Sequence, residues 1–430
     1  MNVVIERNYY LDKLKRKMHN GRIKVITGMR RCGKSYLLFN LFKDYLIGCG
    51  VKDEEIVSIN LEDDNNRKFR DPIKLGEYIA SAIDPSRKTY VFIDEIQVCK
   101  RVPNPDVYGD EITFTDVLLT LVKNRGVDVY VTGSSSKMLS RDIPTQFRDR
   151  GDVVHVSPLS FSELRPYYEN VDEAWREYMR FGGMPYLFQE EDSIEKASYL
   201  QGLFNETYIK DIIERNNVRN DETKIEILLD FIASSIGSFI NPEKIANRFL
   251  SETKQKINGA TVSKYLKYLE DSFILSAVKR FDIKGGKYFS SPQKYYFTDI
   301  GLRNTRLNFR QTDEGYVTEN ILYNDLIRRG YNVDVGTVVY SHKRGDKLVR
   351  DQLEVDFVVN NGSERVYIQV AYTLHTPQKV LQETNSLKRI DDSFKKIVLT
   401  MDKIIPSYDI NGIYYMNIID FLLSDNPLRF

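Results

Sequence analysis

Cysteine and histidine are scarce in this sequence of 430 residues, which contains three cysteines and four histidines. Cys32, Cys49 and Cys99 are too few for a disulfide framework, and none has another Cys or His at metal-ligand spacing. A zinc site or a histidine-based catalytic site is therefore not expected. We expect the three thiols to be reduced, as they are in cytoplasmic proteins.

Long apolar runs and an excess of one charge are also absent. No run reaches the roughly 18 apolar residues needed to span a bilayer, and residues 1–17 mix charges with apolar residues instead of forming a signal-peptide core. The formal net charge is only +1. The sequence thus predicts no membrane association and no global preference for nucleic acid. Its length favours two to four domains.

The first third of the chain alternates between β-branched runs and helix-length segments. This alternation is typical of βαβ units, in which a parallel sheet has helices on both faces. We therefore predict an α/β fold with a parallel sheet. The predicted strands are residues 22–28, 56–61, 90–94, 127–133 and 153–157.

A phosphate-binding motif follows the first predicted strand. Residues 28–35 match G-x-x-x-x-G-K-[ST] at every fixed position, and a predicted helix follows them. In such a loop, backbone N–H groups and the helix N-terminus surround phosphate oxygens. We predict that Lys34 reaches the β- and γ-phosphates of ATP and that the Ser35 hydroxyl binds Mg²⁺. The other predicted nucleotide contacts are Gly28, Arg30, Arg31, Cys32, Gly33 and Tyr36.

Two carboxylates follow the apolar strand at residues 90–93. Ligands of open α/β sheets bind at the carboxyl ends of the strands. We predict that Asp94 holds Mg²⁺ and that Glu95 orients or deprotonates the attacking water. Charged turns also end many strands, but the phosphate motif upstream favours the functional interpretation.

Hydroxyl side chains follow the predicted strand at residues 127–133. Ser134 or Ser135 is placed to sense the γ-phosphate or the attacking water. A serine-rich turn that caps the next helix explains the same residues equally well.

The order of phosphate loop, Asp-Glu strand and polar strand end resembles ATPases of the AAA superfamily. Together with residues 150–151, 158–163 and 181–185, it is similar to bacterial and archaeal predicted ATPases that carry a C-terminal domain of unknown function. The likeness covers nearly the whole chain. Its motifs are most specific at the phosphate loop and the Asp-Glu strand.

This resemblance implies roles for further residues. Ser134 or Ser135 would be the sensor of the ATPase site. Arg148 or Arg150 would complete the site of a neighbouring subunit, which requires a homo-oligomer. A solvated loop arginine is the alternative for both arginines.

The pattern divides the chain into four predicted domains. These are an AAA ATPase domain at 1–162, a helical lid at 163–220, a winged helix at 221–305 and a nuclease-like domain at 306–430. The winged helix is predicted from helical periodicity at 225–236, 242–250 and 261–269, followed by a β-hairpin that ends at residue 297. Residues 241–303 contain 12 Lys and Arg against 6 Asp and Glu. This basic segment predicts binding of duplex DNA; the alternative is a module that packs against protein.

The last predicted domain resembles the PD-(D/E)xK nucleases, with Glu319 in a helix and Asp356 in a strand. The resemblance implies a metal ion held by these acids and by an E-x-K motif on the next strand. Here that motif reads Gln369 and Ala371. An alanine cannot polarise water, so we predict an inactive domain.

The leading functional prediction is an Mg²⁺-dependent ATPase whose nucleotide state regulates the binding of DNA or of a protein partner. The alternative is a nucleotide-dependent signalling switch or scaffold with little turnover. A metal-dependent nuclease is disfavoured by Gln369 and Ala371.

Overall fold

The computed structural model describes residues 4–134, 150–218, 221–254, 256–310, 313–345, 347–362 and 364–429. The chain forms two compact units. The N-terminal unit contains the residues up to Pro158 together with Asp271–Phe273, and the C-terminal unit contains the rest. The finer division into four domains stays a prediction. In the described ranges, no helix is both long and apolar enough to cross a membrane.

The N-terminal unit contains a five-stranded sheet with the order β2-β3-β6-β1-β7, in which every pairing is parallel. The predicted α/β class is confirmed, and the predicted strands differ from those observed by no more than two residues at either end. The strands are β1 (Ile23–Thr27), β2 (Ile56–Asn60), β3 (Thr89–Asp94), β4 (Val102–Pro103), β5 (Glu111–Ile112), β6 (Val127–Gly133) and β7 (Gly151–His155). Strands β4 and β5 form a separate antiparallel pair.

Helices cover both faces of this sheet, and for this reason its central strands are buried throughout. One face packs on residues such as Leu75, Ile79 and Leu118. On the other face, the ring of Phe42 packs against the rings of Phe92 in β3 and Tyr130 in β6. The helices are α1 (Asn8–Lys17), α2 (Lys34–Tyr36), α3 (Lys43–Gly48), α4 (Pro72–Ala82) and α5 (Phe114–Leu121). A π-helical segment, Leu37–Phe42, joins α2 to α3.

One buried ion pair interrupts the apolar strands at their amino-terminal ends. Lys24 in β1 pairs with Asp128 in β6, and Asp128 also accepts hydrogen bonds from the Tyr130 hydroxyl and the His19 amide. Burial lowers the pKa of Lys24, and Asp128 opposes this shift. Both charges of the pair thus have partners, and the contact is structural. It lies at the amino-terminal ends of the strands, whereas Asp94 lies at a carboxyl end.

The C-terminal unit contains a nine-stranded sheet with the order β15-β16-β14-β13-β12-β11-β9-β10-β8. Strand β9 pairs in parallel with β11, so the hairpin β9–β10 belongs to the same sheet as the strands of the predicted nuclease-like domain. The strands are β8 (Phe239–Ile240), β9 (Leu275–Asp282), β10 (Lys287–Phe297), β11 (Asn332–Arg344), β12 (Lys347–Asn361), β13 (Glu364–Ala371), β14 (Lys395–Thr400), β15 (Ser407–Tyr408) and β16 (Ile413–Asn417).

Helices precede and flank this sheet. The three helices predicted within 221–305 are present as α10 (Glu222–Ser234), α11 (Pro242–Thr253) and α12 (Gly259–Asp271). Helix α12 buries Val262, Leu266 and Leu269 and exposes Lys264 and Lys267. Their assignment as a winged helix stays a prediction. The helices are α6 (Phe161–Leu164), α7 (Val171–Phe181), α8 (Ser193–Gly202), α9 (Lys210–Asn216), α10 (Glu222–Ser234), α11 (Pro242–Thr253), α12 (Gly259–Asp271), α13 (Ile300–Arg306), α14 (Glu314–Arg328), α15 (Pro377–Lys388) and α16 (Ile418–Leu423).

The glycine pair after α7 makes a close backbone contact inside the C-terminal unit. A Cβ on Gly183 would lie 2.0 Å from the carbonyl oxygen of Leu159, so no side chain fits there. The Gly183 and Leu302 amides donate to the Asp299 carboxylate at 2.7 and 3.2 Å. Burial raises the pKa of Asp299 to about 6, although these backbone hydrogen bonds lower it. The motif at 181–185 thus has a structural explanation.

The first prediction concerns this carboxyl group. Because its pKa is about 6 in the folded chain, against an ordinary value of 3.8, its protonated form stabilises the fold fully below pH 3.8. This contribution, about 3 kcal/mol, is lost as the pH rises through 6. Asp299→Asn cannot ionise, so between pH 4 and 7 the wild type should lose stability relative to the variant. Urea unfolding at a series of pH values measures the difference. Glu191→Gln, at an exposed position, should follow the wild type, and parallel curves for wild type and Asp299→Asn would contradict the assignment.

Candidate phosphate-binding site

The loop between β1 and α2 has left-handed backbone at Gly28, Arg31 and Gly33, with φ values of 148°, 62° and 95°. Such residues let successive N–H groups form an anion-binding concavity. A Cβ on Gly28 would lie 2.1 Å from the carbonyl oxygen of Val156. Glycine is therefore required at this position by close packing as well as by conformation.

Lys34 begins the helical segment after the loop and is only 3% exposed. Its ammonium donates a hydrogen bond of 2.9 Å to the Met29 carbonyl and lies 3.8 Å from Glu95 Oε1. The charge of Lys34 is thus held between the backbone of its own loop and a carboxylate at the end of β3.

Asp94 links the loop to two strands of the sheet. Its Oδ1 accepts hydrogen bonds from the Ser35 hydroxyl at 3.0 Å and from the Thr132 hydroxyl at 2.5 Å. Burial raises the pKa of Asp94, and both hydrogen bonds lower it. Hydroxyl and carboxylate oxygens are the ligands that Mg²⁺ prefers, and Mg²⁺ bound with phosphates needs only one or two of them from protein. Ser35 and Asp94 therefore fit this ion.

Glu95 lies in the left-handed region with φ 52°, which is uncommon for a residue with a side chain. Its backbone amide donates to the Thr132 hydroxyl at 2.9 Å. Its Oε2 accepts hydrogen bonds from the Ser134 hydroxyl at 3.2 Å and from the Gln97 amide. Strained residues of this kind are concentrated at functional sites. The surrounding contacts fix the direction of the Glu95 carboxylate.

Gln97 has a side-chain oxygen with no hydrogen-bond donor among the described residues. Its amide nitrogen donates to Glu95 and, at 3.2 Å, to the Ser134 hydroxyl. Its Oε1 is buried, and no described residue donates a hydrogen bond to it. A buried acceptor without a donor is costly and calls for an explanation. Gln97 contacts Glu95, so this acceptor belongs to the candidate site.

Contacts in the structure bring together Lys34, Ser35, Asp94, Glu95 and Ser134. Their roles stay predictions. Arg150 is exposed, and its carbonyl accepts from the Ile23 amide at 2.8 Å. Ser135 and Arg148 lie outside the described residues.

The remaining predicted loop residues differ in their surroundings. Arg30 lies 3.5 Å from the Glu62 carboxylate, while Arg31 is exposed and Tyr36 is 42% exposed. Cys32 is buried and its thiol donates to the Val156 carbonyl at 3.3 Å. Burial raises the pKa of this thiol. Cys32 therefore stabilises the loop by packing in the interior beside Val156.

Sequence reasoning missed three residues of this site. Thr132 carried a signal, since it is a hydroxyl in an otherwise apolar strand, and Gln97 is a polar residue directly after the Asp-Glu pair. Arg7 carried none. This side chain is 3% exposed and donates to the carbonyls of Cys32 at 3.0 Å and Ser157 at 2.8 Å. It ties the phosphate loop to the segment that follows β7.

In the C-terminal unit, the two acids of the predicted nuclease-like pattern lie in one buried cluster. Glu319 Oε1 accepts from the Lys294 ammonium at 2.9 Å and from the Tyr296 hydroxyl at 2.5 Å. Lys294 also pairs with Glu354 at 2.5 Å, and Asp356 accepts from the Val370 amide at 2.7 Å. This cluster already contains its own cation.

A metal ion does not fit this cluster. In the part of the chain that the structure describes, no group of three or more His, Cys, Asp or Glu residues is arranged to hold a metal. The Gln369 amide is directed to the Glu383 carboxylate at 3.4 Å, and Ala371 has no polar atom. The cluster thus differs from a metal site in two ways. An amide and an alanine stand where the motif has an acid and a lysine, and the Glu319 carboxylate is already hydrogen-bonded to Lys294 and Tyr296.

The parallel sheet, the left-handed loop and the carboxylates at the end of β3 define a P-loop nucleotide-binding domain of AAA type. Residues 20–165 match the family model described as an AAA domain. Residues 172–313 and 314–419 match two domains of unknown function, DUF8612 and DUF4143.

Among curated relatives, an uncharacterized protein of Haemophilus influenzae is 32% identical over 98% of this chain and 99% of its own length. The chain belongs to the same protein family. An uncharacterized protein of Methanocaldococcus jannaschii is 28% identical over 84% of this chain and 77% of its own. The Walker-type ATPase of Pyrococcus abyssi has a TM-score of 0.45 and 14% identity over 71% of this chain and 96% of that one. This superposition is too loose to transfer structural detail.

The second prediction tests the contact made by Arg7. Arg7→Ala removes the donor from the buried Cys32 carbonyl and the partly buried Ser157 carbonyl, which costs about 1.5–3 kcal/mol, and it should loosen the phosphate loop. We expect the affinity for a fluorescent ATP analogue, measured by anisotropy, to fall about tenfold. Arg16→Ala, an exposed arginine on α1, is the matched control. Unchanged affinity in a folded Arg7→Ala protein would contradict a role in the loop.

Proposed function

We propose that the protein binds ATP with Mg²⁺ and hydrolyses it, and that its nucleotide state regulates the binding of DNA or a protein partner by the C-terminal unit. The observation that carries the proposal is the shared oxygen of Asp94, which accepts from Ser35 of the phosphate loop and Thr132 of β6. This contact joins the predicted phosphate and metal ligands to the strand that precedes Ser134.

Lys34 changes partner when a nucleotide binds. Its ammonium is held by the Met29 carbonyl, which is a neutral acceptor. A γ-phosphate carries full negative charge, and hydrogen bonds between charged groups are about twice as strong as neutral ones. Lys34 therefore leaves the carbonyl for the phosphate, and the N–H groups of the loop bind the remaining oxygens.

Ser35 and Asp94 would hold Mg²⁺, which neutralises charge on the phosphates. The Ser35 hydroxyl and the Asp94 carboxylate, which are 3.0 Å apart, would supply the oxygen ligands of the ion. Thr132 keeps its hydrogen bond to Asp94 and orients the carboxylate. The role of Thr132 is thus positioning.

Glu95 orients the attacking water and accepts its proton. Its Oε2 is held by Ser134 and Gln97, which leaves Oε1 for the water once Lys34 has moved to the phosphate. The buried Oε1 of Gln97 offers the same water a second acceptor. Gln97 is therefore a positioning residue for Glu95 in this mechanism.

Binding of duplex DNA is proposed for residues 241–303. Lys264 and Lys267 project from α12 into solvent, as groove contacts require. Several cations of the segment are already engaged, because Lys294 is buried, Lys284 pairs with Asp391 at 3.0 Å and Lys267 pairs with Glu270 at 3.4 Å. The exposed Lys264 of α12 is therefore the first expected phosphate contact.

A nucleotide switch with little turnover is the second candidate. The observation in its favour is that Lys34 and Glu95 lie 3.8 Å apart and are both engaged by neighbouring groups. Release of these contacts would limit hydrolysis.

In a homo-oligomer, Arg150 of an adjacent subunit would complete the site, and turnover would then rise with protein concentration.

The third prediction concerns hydrolysis itself. Lys34→Ala should lower Mg²⁺-dependent ATP turnover about 100-fold, because one charged donor to the phosphates is lost. Glu95→Gln should lower turnover by a similar factor while ATP binding remains, since only proton transfer is impaired. Lys123→Ala, on the surface of the N-terminal unit, is the control. Phosphate release is measured with and without duplex DNA.

The outcomes of this assay separate the two candidates. Turnover that DNA stimulates, with DNA affinity falling as salt rises, supports an ATPase that acts with DNA. Tight ATP binding with a single slow turnover favours the switch. Equal turnover by wild type and Lys34→Ala would contradict the ATPase site.

The fourth prediction concerns Gln97. Gln97→Ala removes a donor to Glu95 and an acceptor for water, so kcat should fall about tenfold while KM for ATP stays within twofold of the wild type. Gln201→Ala, an exposed glutamine on α8, controls for general effects. A rise in KM without a change in kcat would place Gln97 in nucleotide binding instead.

A further inference from the structure

Lys294 is a buried cation at the centre of the C-terminal unit, where it is 1% exposed. It lies on β10, within the hairpin of the predicted winged helix. Its ammonium contacts Glu319 of α14 at 2.9 Å and Glu354 of β12 at 2.5 Å. One lysine thus connects the hairpin to two elements of the predicted nuclease-like domain.

A third carboxyl group, that of Asp356, acts on the same lysine. Burial lowers the pKa of Lys294, but the charges of Glu319, Glu354 and Asp356 outweigh it and raise the pKa above its ordinary value. The contacts of the ammonium with Glu319 and Glu354 place its positive charge where it offsets the buried Glu319 carboxylate.

We propose that the Lys294 ammonium takes the place of a divalent cation among these carboxylates, so that the C-terminal unit is metal-independent and cannot carry out metal-dependent hydrolysis of phosphodiesters. The buried carboxylate of Glu319 and the partly exposed carboxylate of Glu354 share one cation, and either a metal ion or an ammonium can supply that positive charge. Here the ammonium uses the carboxylate oxygens that a metal would bind. A second cation would meet the repulsion of the first.

The neighbouring groups also leave little for a metal. Glu319 Oε1 already accepts two hydrogen bonds, one from Lys294 and one from Tyr296. Gln369 directs its amide to Glu383 at 3.4 Å, and its Oε1 accepts from the Ser386 hydroxyl at 3.5 Å. Both groups are therefore integrated into the structure by hydrogen bonds within the unit.

Titration with Mn²⁺ tests the proposal in the full-length chain. The signal of free Mn²⁺ in electron paramagnetic resonance is measured without nucleotide and in a Ser35→Ala background, which removes the predicted metal ligand of the phosphate loop. With Lys294 present, we expect no Mn²⁺ to bind below 1 mM, within the range of weak sites. Lys294→Ala should bind about one Mn²⁺, and addition of Asp356→Asn should abolish that binding. Lys287→Ala, an exposed lysine on the same strand, should behave like the background.

Thermal unfolding provides a second readout. Lys294→Ala should lower the midpoint of the C-terminal unit by about 10 °C, because breaking a buried ion pair leaves carboxylates without their cation. Added Mn²⁺ should restore at least half of this loss and leave the wild type unchanged. Lys294→Met with Glu319→Gln removes charge of both signs, so it should be more stable than Lys294→Met alone.

Three results would overturn the proposal. The first is Mn²⁺ binding by the protein with Lys294 intact that Asp356→Asn removes. The second is a folded Lys294→Ala protein that binds no Mn²⁺. The third applies if Lys294→Ala does not fold: a Lys294→Met, Glu319→Gln protein no more stable than Lys294→Met would show that Lys294 does not act by neutralising the carboxylates.

Discussion

A single buried carboxylate oxygen organises the phosphate-binding site. Asp94 Oδ1 accepts from Ser35 and Thr132, and Thr132 in turn accepts from the Glu95 amide. A buried carboxylate must be fully hydrogen-bonded, because an unsatisfied charge costs several kcal/mol. This requirement fixes the phosphate loop, the end of β3 and the end of β6 relative to each other. Glu95, whose amide donates to Thr132, has its left-handed backbone in the same segment.

Much of this site was predictable because its determinants are local. The spacing of Gly28, Gly33 and Lys34 reflects the tight turn around a phosphate. The apolar strand that ends in Asp94 and Glu95 can be recognised from six consecutive residues. The five parallel strands could also be predicted, because strands buried on both faces of a sheet have continuous apolar sequences. Arg7 was not predictable. Its partners are 25 and 150 residues away, and no periodicity encodes such a contact.

The C-terminal unit contains contacts between remote segments that local sequence patterns do not predict. The helices α10–α12 and the hairpin β9–β10 were predicted from periodicity and turn residues, and they are present. Their strands nevertheless belong to a nine-stranded sheet through the pairing of β9 with β11. Pairing between remote strands depends on packing and leaves no periodic signal. Lys294 illustrates the difficulty: it counts as one of twelve basic residues in the segment, yet it is buried against Glu319.

The position of Arg7 has a practical consequence for recombinant work on such proteins. A clone that starts at an internal methionine such as Met18, or one trimmed back to β1, keeps every residue of the phosphate motif but loses the guanidinium that holds the Cys32 carbonyl. Weak nucleotide binding by such a truncated protein would then be mistaken for a property of the phosphate motif itself. Assays of this protein should therefore use chains that retain Arg7.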